Sequence, residues 1–105
     1  MKKVLISAPV NFLPSLKALM SKTFNCTFAY HFSKKDTIAL LNENEYEGWL
    51  VSPCPTYYID EDLLSHCPAL KIIATPSTGT NHLDIDNILK RGIEFFSLRG
   101  FQLFQ

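Results

Sequence analysis

The chain has 105 residues, 47% of them hydrophobic and 19% charged, enough for one globular domain with its own core and too little for two. Ten basic and ten acidic side chains cancel, and no Lys/Arg cluster exceeds a pair such as Lys34-Lys35 or Lys90-Arg91, so the electrostatic footprint of a nucleic-acid or anionic-membrane binder is missing. The partner expected on these grounds is a small molecule or another protein surface.

The first segment, MKKVLISAPVNF, has the charged beginning of a secretion signal, but its apolar stretch is short and is cut by Pro9 and Asn11. With no apolar run long enough to span a bilayer, a cytoplasmic protein is expected. Val4 to Ile6 reads as the first strand. Leu13, Leu16, Leu19 and Met20 then form an apolar stripe at helical spacing. The stretch CTFAY at 26–30 alternates as an edge strand does, and Ser33 with Asp36 three residues on resembles a capping box for a helix carrying Ile38 and Leu41. A third strand is expected at WLV, 49–51. Asp60 opens a short acidic turn with Leu63 and Leu64 pointing inward, stopped by Pro68. LKIIA at 70–74 and IEFF at 93–96 supply the fourth and fifth strands. Between them lies the best specified helix: Asp84 as N-cap, Asp86 in the first turn, apolar Ile85, Ile88 and Leu89, Lys90-Arg91 against the dipole, and Gly92 where positive φ is wanted.

Near-continuous apolar strands suit a sheet covered on both faces, and strand-helix alternation with short connections gives right-handed crossovers. The fold expected is α/β: a flavodoxin-like, doubly wound, five-stranded parallel sheet of order 2-1-3-4-5 with helices on both faces, binding ligands at the carboxyl ends of the strands. Cys26, Cys54 and Cys67 are an odd number without a C-x-x-C pair, and with His31, His66 and His82 they match no zinc spacing. They read as reduced thiols, and no metal is expected.

The loop after the fourth strand carries Ser77, Thr78, Gly79, Thr80, Asn81 and His82. Gly79 permits close backbone approach, so successive amides can converge on an anion, with the hydroxyls and the Asn81 amide beside them. A carboxylate or phosphate would find donors there without Arg or Lys. The same residues also suit a turn that caps the helix opened by Asp84. His82 could donate to a ligand oxygen, or serve as a capping or packing residue; it has no sequence-local carboxylate to orient it. The second candidate surface is SPCPTYY at 52–58, at the same end of the sheet. Pro53 and Pro55 stiffen it, Cys54 lacks a cationic neighbour that would activate it, and Tyr57 and Tyr58 suit packing or a rim rather than chemistry.

Residues 67–92, CPALKIIATPSTGTNHLDIDNILKRG, resemble the D-isomer-specific 2-hydroxyacid dehydrogenases, the family of D-3-phosphoglycerate, formate and glycerate dehydrogenases. The shared pattern is a proline, Leu-Lys, an apolar strand ending in Ala, a Gly-rich turn, an Asn, an Ile/Leu-Asp pair and Lys/Arg-Gly-Ile. The first 66 residues agree in layout only. The resemblance implies that residues 1–98 form the substrate-binding domain, with 99–105 a tail where a hinge to an NAD-binding domain would stand. It implies that amides at Thr78 and Gly79 hold the carboxylate of a 2-hydroxy or 2-oxo acid, and that the loop of Pro53 and Cys54 borders it. Ser77 stands where many members have Gly, and His82 where many have Asn, so the substrate is not inherited.

In that family a second domain supplies the G-x-G-x-x-G fingerprint, an Arg for the substrate carboxylate and the Glu/His couple that moves the hydroxyl proton. The glycines here, at 48, 79, 92 and 100, form no such fingerprint, so NAD binding and catalytic residues are not expected in this polypeptide. It reads as a truncated member, silent alone. The family's first domain is completed by a returning C-terminal segment, so exposed apolar surface is expected, covered by the FQLFQ tail or by a second copy in a dimer. A flavodoxin would place its phosphate loop after strand one, where SAPVNF stands, and a phospho-receiver domain needs acidic residues there and an Asp after strand three. The remaining rival is a free-standing, non-enzymatic module that binds a small acid or a protein.

Overall fold

The computed structural model describes residues 2–8, 14–30, 32–51, 57–75 and 83–97. Among them nine elements alternate: β1 (Lys3–Ile6), α1 (Pro14–Thr23), β2 (Asn25–Phe28), α2 (Lys34–Glu43), β3 (Gly48–Leu50), α3 (Glu61–Leu64), β4 (Ile72–Thr75), α4 (Ile85–Lys90) and β5 (Glu94–Ser97). Every strand pair is parallel and the order is β2-β1-β3-β4-β5, as the apolar runs predict. The step from β1 to β2 runs one way across the sheet and the later steps run the other. Right-handed connections therefore leave α1 on one face and α2, α3 and α4 on the opposite face.

Packing follows this division. Leu5, Trp49 and Ile73, level in register, bury with Leu41 of α2, Leu63 and Leu64 of α3 and Ile88 of α4 in a core that counts fifteen buried residues among those described. On the α1 face, among the described residues, only Ile6 and Ala8 are buried in the corresponding cluster, with Val4, Met20, Cys26, Phe28 and Leu50 half-buried around them. A fully buried aliphatic side chain stabilises by roughly 1.5–3 kcal/mol, so the α2–α4 side holds the fold.

The α1 face corrects one expectation. Met20 packs, but Leu16 and Leu19 of the same stripe are 40% and 61% exposed, and Leu13 lies outside the described residues. Helix α1 lies over β1 and β2, and no second helix among the described residues stands beside it to cover its flank or β3 to β5. What remains there is an apolar hollow of about 240 Å³ bounded by Val4, Met20, Gly48, Leu50, Ile72 and Ala74, with Lys2 and Lys71 at its rim. Leu89 likewise is 57% exposed, one position round the helix from the buried Ile88.

Local signals fix the helix ends. The Ser33 hydroxyl accepts from the Asp36 N–H at 3.1 Å, Asp60 accepts from Leu63 N–H at 3.0 Å, and Asp84 accepts from Asn87 N–H at 3.3 Å. Helix α4 closes with Gly92 at φ 75°, its N–H donating to Leu89 and that of Ile93 to Ile88 at 3.0 and 3.2 Å. This paired pattern, with Ile88 against Ile93 beneath it, is the helix stop that favours glycine. Gly48 was not in the expected strand, since it has no apolar side chain to show. It nevertheless pairs with both Val4 and Ile72, whose methyl groups stand 3.4 Å from where a Cβ would be. No helix among the described residues is long and apolar enough to cross a membrane.

Candidate functional site

The residues singled out for binding, Ser77, Thr78, Gly79, Thr80, Asn81, His82, Pro53 and Cys54, lie outside the described residues, as does the tail 99–105. Their frame is described. Val51 and Thr75, the last described residues before the two loops, follow and end the neighbouring strands β3 and β4, and Val51 N–H donates to Ala74 at 2.8 Å. Both segments therefore leave from the carboxyl edge. On the return side, Ile59 and Leu83 form an isolated parallel bridge, with Asp84 N–H donating to Ile59 at 2.9 Å. Segments 52–58 and 76–82 thus begin side by side and end side by side.

Beneath this frame lies a polar group that sequence reasoning did not assemble. Ser7, the residue after β1, is buried, and its N–H continues the ladder to Leu50 at 2.8 Å. Its hydroxyl accepts from the Trp49 indole N–H at 2.9 Å. The Tyr57 hydroxyl stands 3.5 Å from Ser7 Oγ and 3.3 Å from Oγ1 of the buried Thr37, which itself donates to the Ser33 carbonyl at 2.8 Å. A signal existed: Trp49 is level with Leu5, so Ser7, two residues on, shares its face of the sheet.

The rim beside α3 and α4 is acidic but tied down. The Leu63 N–H first, and then Lys34 at 3.5 Å, hold the Asp60 carboxyl below its usual range. Arg91 forms a two-pronged pair with Glu61 and lowers its carboxyl too. Partial desolvation and then Asp84, Asp60 and Asp86 push the Tyr58 phenol up. Cys67 is buried, which raises its thiol to about 11, and desolvation also raises that of Cys26. Both are free thiols, inert by position, and Cys54 lies outside the described residues.

A dinucleotide would need a glycine cradle on the turn that leaves β1. Residues 7–14 contain no glycine, and Ser7 there is turned inward to Trp49. This sheet does not fit that cofactor.

The sequence pattern described as D-isomer specific 2-hydroxyacid dehydrogenase, catalytic domain, matches residues 4–101. The chain belongs to this family. Among curated relatives, erythronate-4-phosphate dehydrogenase of Aeromonas hydrophila is 43% identical over 42 residues, which is 40% of this chain and 11% of that protein. The D-mandelate dehydrogenase of Rhodotorula graminis superposes with a TM-score of 0.76 at 25% identity, covering 94% of this chain and 31% of that one. A D-lactate dehydrogenase of Aquifex aeolicus, complexed with NAD and lactic acid, shares the fold at TM-score 0.68 and 23% identity, over 95% of this chain and 28% of its own. The chain therefore spans under a third of the length of these relatives.

Proposed function

We propose that residues 1–98 are the substrate-binding domain of an NAD-dependent D-2-hydroxyacid dehydrogenase, with 99–105 leading toward the cofactor-binding part of such an enzyme. Main-chain amides of segment 77–82, with Thr78 and Gly79 at their centre, hold the carboxylate of a 2-hydroxy or 2-oxo acid. Pro53 and Cys54 border it, while Ser77, Thr80, Asn81 and His82 supply further donors. The observation that carries this reading is the paired frame: two segments rich in permissive or donor residues start together at Val51 and Ala74 and end together at Ile59 and Leu83. Loops at the carboxyl edge of a doubly wound sheet are where such folds bind small ligands.

Hydride transfer needs a nicotinamide and a proton-transferring group facing the acid, and residues 1–105 provide neither a glycine fingerprint nor a second wall. The polypeptide alone binds acid and leaves it unchanged. On this reading NAD enters only with a facing domain; the similar D-lactate dehydrogenase of Aquifex aeolicus is itself complexed with NAD. Self-association belongs to the same reading, supported by the open apolar hollow beside α1. Calorimetry with pyruvate should give a weak, saturable heat, in the millimolar range set by so small a ligand. NADH fluorescence should not change when the polypeptide is added. No heat with any small 2-oxo acid, or a clear NADH signal, contradicts the reading.

A further inference from the structure

Exposed apolar side chains gather on the half-covered sheet face that α1 shares with the hollow. Among the described residues six large apolar side chains are exposed, and Leu16, Leu19 and Ile72 lie on this one face, at 40%, 61% and 37%. Strand alternation puts Val4, Gly48, Leu50, Ile72 and Ala74 there, because Leu5, Trp49 and Ile73 between them point into the opposite core. Two of these five have almost no side chain. Gly48 on β3 and Ala74 on β4 form a low floor among Val4, Leu50 and Ile72, and the apolar hollow of about 240 Å³ stands over them.

The contacts of α1 fix which way it is turned beside that hollow. Lys17 holds its ammonium over the Phe28 ring of β2, 4.7 Å from the centroid. At about 3.6 residues per turn, Met20 lies about 60° round the helix from Lys17, Leu16 about 100° and Leu19 about 160°, all in one direction. Met20 lines the hollow. Leu16 and Leu19 therefore stand on the flank away from β2, beside the recess. A contact between identical copies about a two-fold axis needs this pairing of projection and recess, since each copy must offer what it receives. The sizes agree: an apolar cavity of about 150 Å³ takes a benzene, so the hollow accepts a leucine side chain with room for part of a second. The molecule measures 33 × 31 × 26 Å, so one face offers roughly 800 Å², about what each partner gives to a standard stable interface.

We propose that this face is a dimer interface: two copies of the chain meet on it about a two-fold axis, Leu16 and Leu19 of each entering the hollow over Gly48 and Ala74 of the other. This rests on the self-association proposed above and names its surface. Charge makes the contact distinctive. Helix α1 has Lys17 and Lys22 and no acid, and at the rim Lys2 and Lys71 share the single carboxylate of Glu47, at 3.9 and 3.4 Å. Facing copies oppose net positive charge, and apolar burial drives association against it. Added salt screens that repulsion, so the dimer tightens with salt, where a contact made by ion pairs would loosen.

The test is sedimentation velocity of the 105-residue chain over a range of protein and salt concentrations, repeated on Leu19→Glu and, as control, on Leu89→Glu. Leu89 is 57% exposed on α4, on the other side of the sheet. Both side chains are more than half exposed, so neither change enters the folded core, which circular dichroism checks. Expected are a wild-type dimer that tightens with salt, a Leu19→Glu dissociation constant raised roughly tenfold or more by burying an unpaired charge, and a Leu89→Glu protein that dimerises as wild type does. In the wild-type chain, dilution should move the amide signals of Leu16, Leu19, Gly48 and Ala74 and leave those of α4 in place, a readout that needs no variant. A dimer that survives Leu16→Glu combined with Leu19→Glu, or that salt loosens, overturns this interface and leaves self-association to another surface. A chain that stays monomeric removes both, while its pyruvate titration still decides the substrate reading separately. Open-ended larger species overturn the proposal too, because a two-fold contact closes.

Discussion

Replacing Trp49 with alanine is expected to lower unfolding free energy by about 3–5 kcal/mol, a large share of the roughly 5–15 kcal/mol that holds a domain of this size. Trp49 lies on the central strand β3, is 2% exposed, and is the largest member of the core that α2, α3 and α4 share with the sheet. Its loss leaves a cavity in the middle of the better packed face and removes the firm anchor of Ser7, so two costs add. Trp49→Phe should lose less, about 1–2 kcal/mol, because most of the ring volume stays while the indole N–H goes. Urea unfolding followed by circular dichroism separates the two variants. A Trp49→Ala protein within about 1 kcal/mol of wild type would mean that the core lies elsewhere.

Changing Gly79 to proline is expected to weaken pyruvate binding roughly 10- to 100-fold without abolishing the fold, because proline removes a main-chain N–H and a hydrogen bond to a charged acceptor is worth about 1.5–3 kcal/mol. The reasoning turns on the kind of donor. Segment 77–82 has no Lys or Arg, so a carboxylate held there depends on amides and hydroxyls, and proline deletes an amide without touching any side-chain donor. Gly79→Ala separates that loss from simple crowding, since alanine keeps the N–H and adds only a Cβ. Calorimetric titration of the folded variants reads the result. Unchanged affinity in Gly79→Pro would remove the main-chain amide from the account.

The strand order was legible because the strands announce themselves twice, by short apolar runs and by helices with written ends. Asp84 and Gly92 delimit α4 from both sides, and the residues between have no other reading. Burial was less legible. An apolar stripe on α1 names the face that would pack, but not whether anything arrives to cover its flank, and Leu16 and Leu19 meet no such neighbour among the described residues. Gly48 hid because a strand residue without a side chain looks like a turn, although the closeness of Val4 and Ile72 is what favours glycine there. The Trp49–Ser7–Tyr57–Thr37 group joins residues 20 to 50 positions apart and becomes visible only once strand register is known. For the candidate site, composition named the two segments, and the fold supplied the ladder bond and the bridge that set the described residues flanking them side by side.

The most direct test of a carboxyl-edge acid site is an amide map of the isotope-labelled 105-residue chain titrated with pyruvate. Shifts should concentrate at 77–82 and 52–56, spread weakly to Val51, Thr75 and Leu83, and spare Lys2, Glu47 and Lys71 at the amino edge. A spectrum unchanged at high millimolar pyruvate, or shifts centred on that amino edge or on the hollow beside α1, would contradict the account.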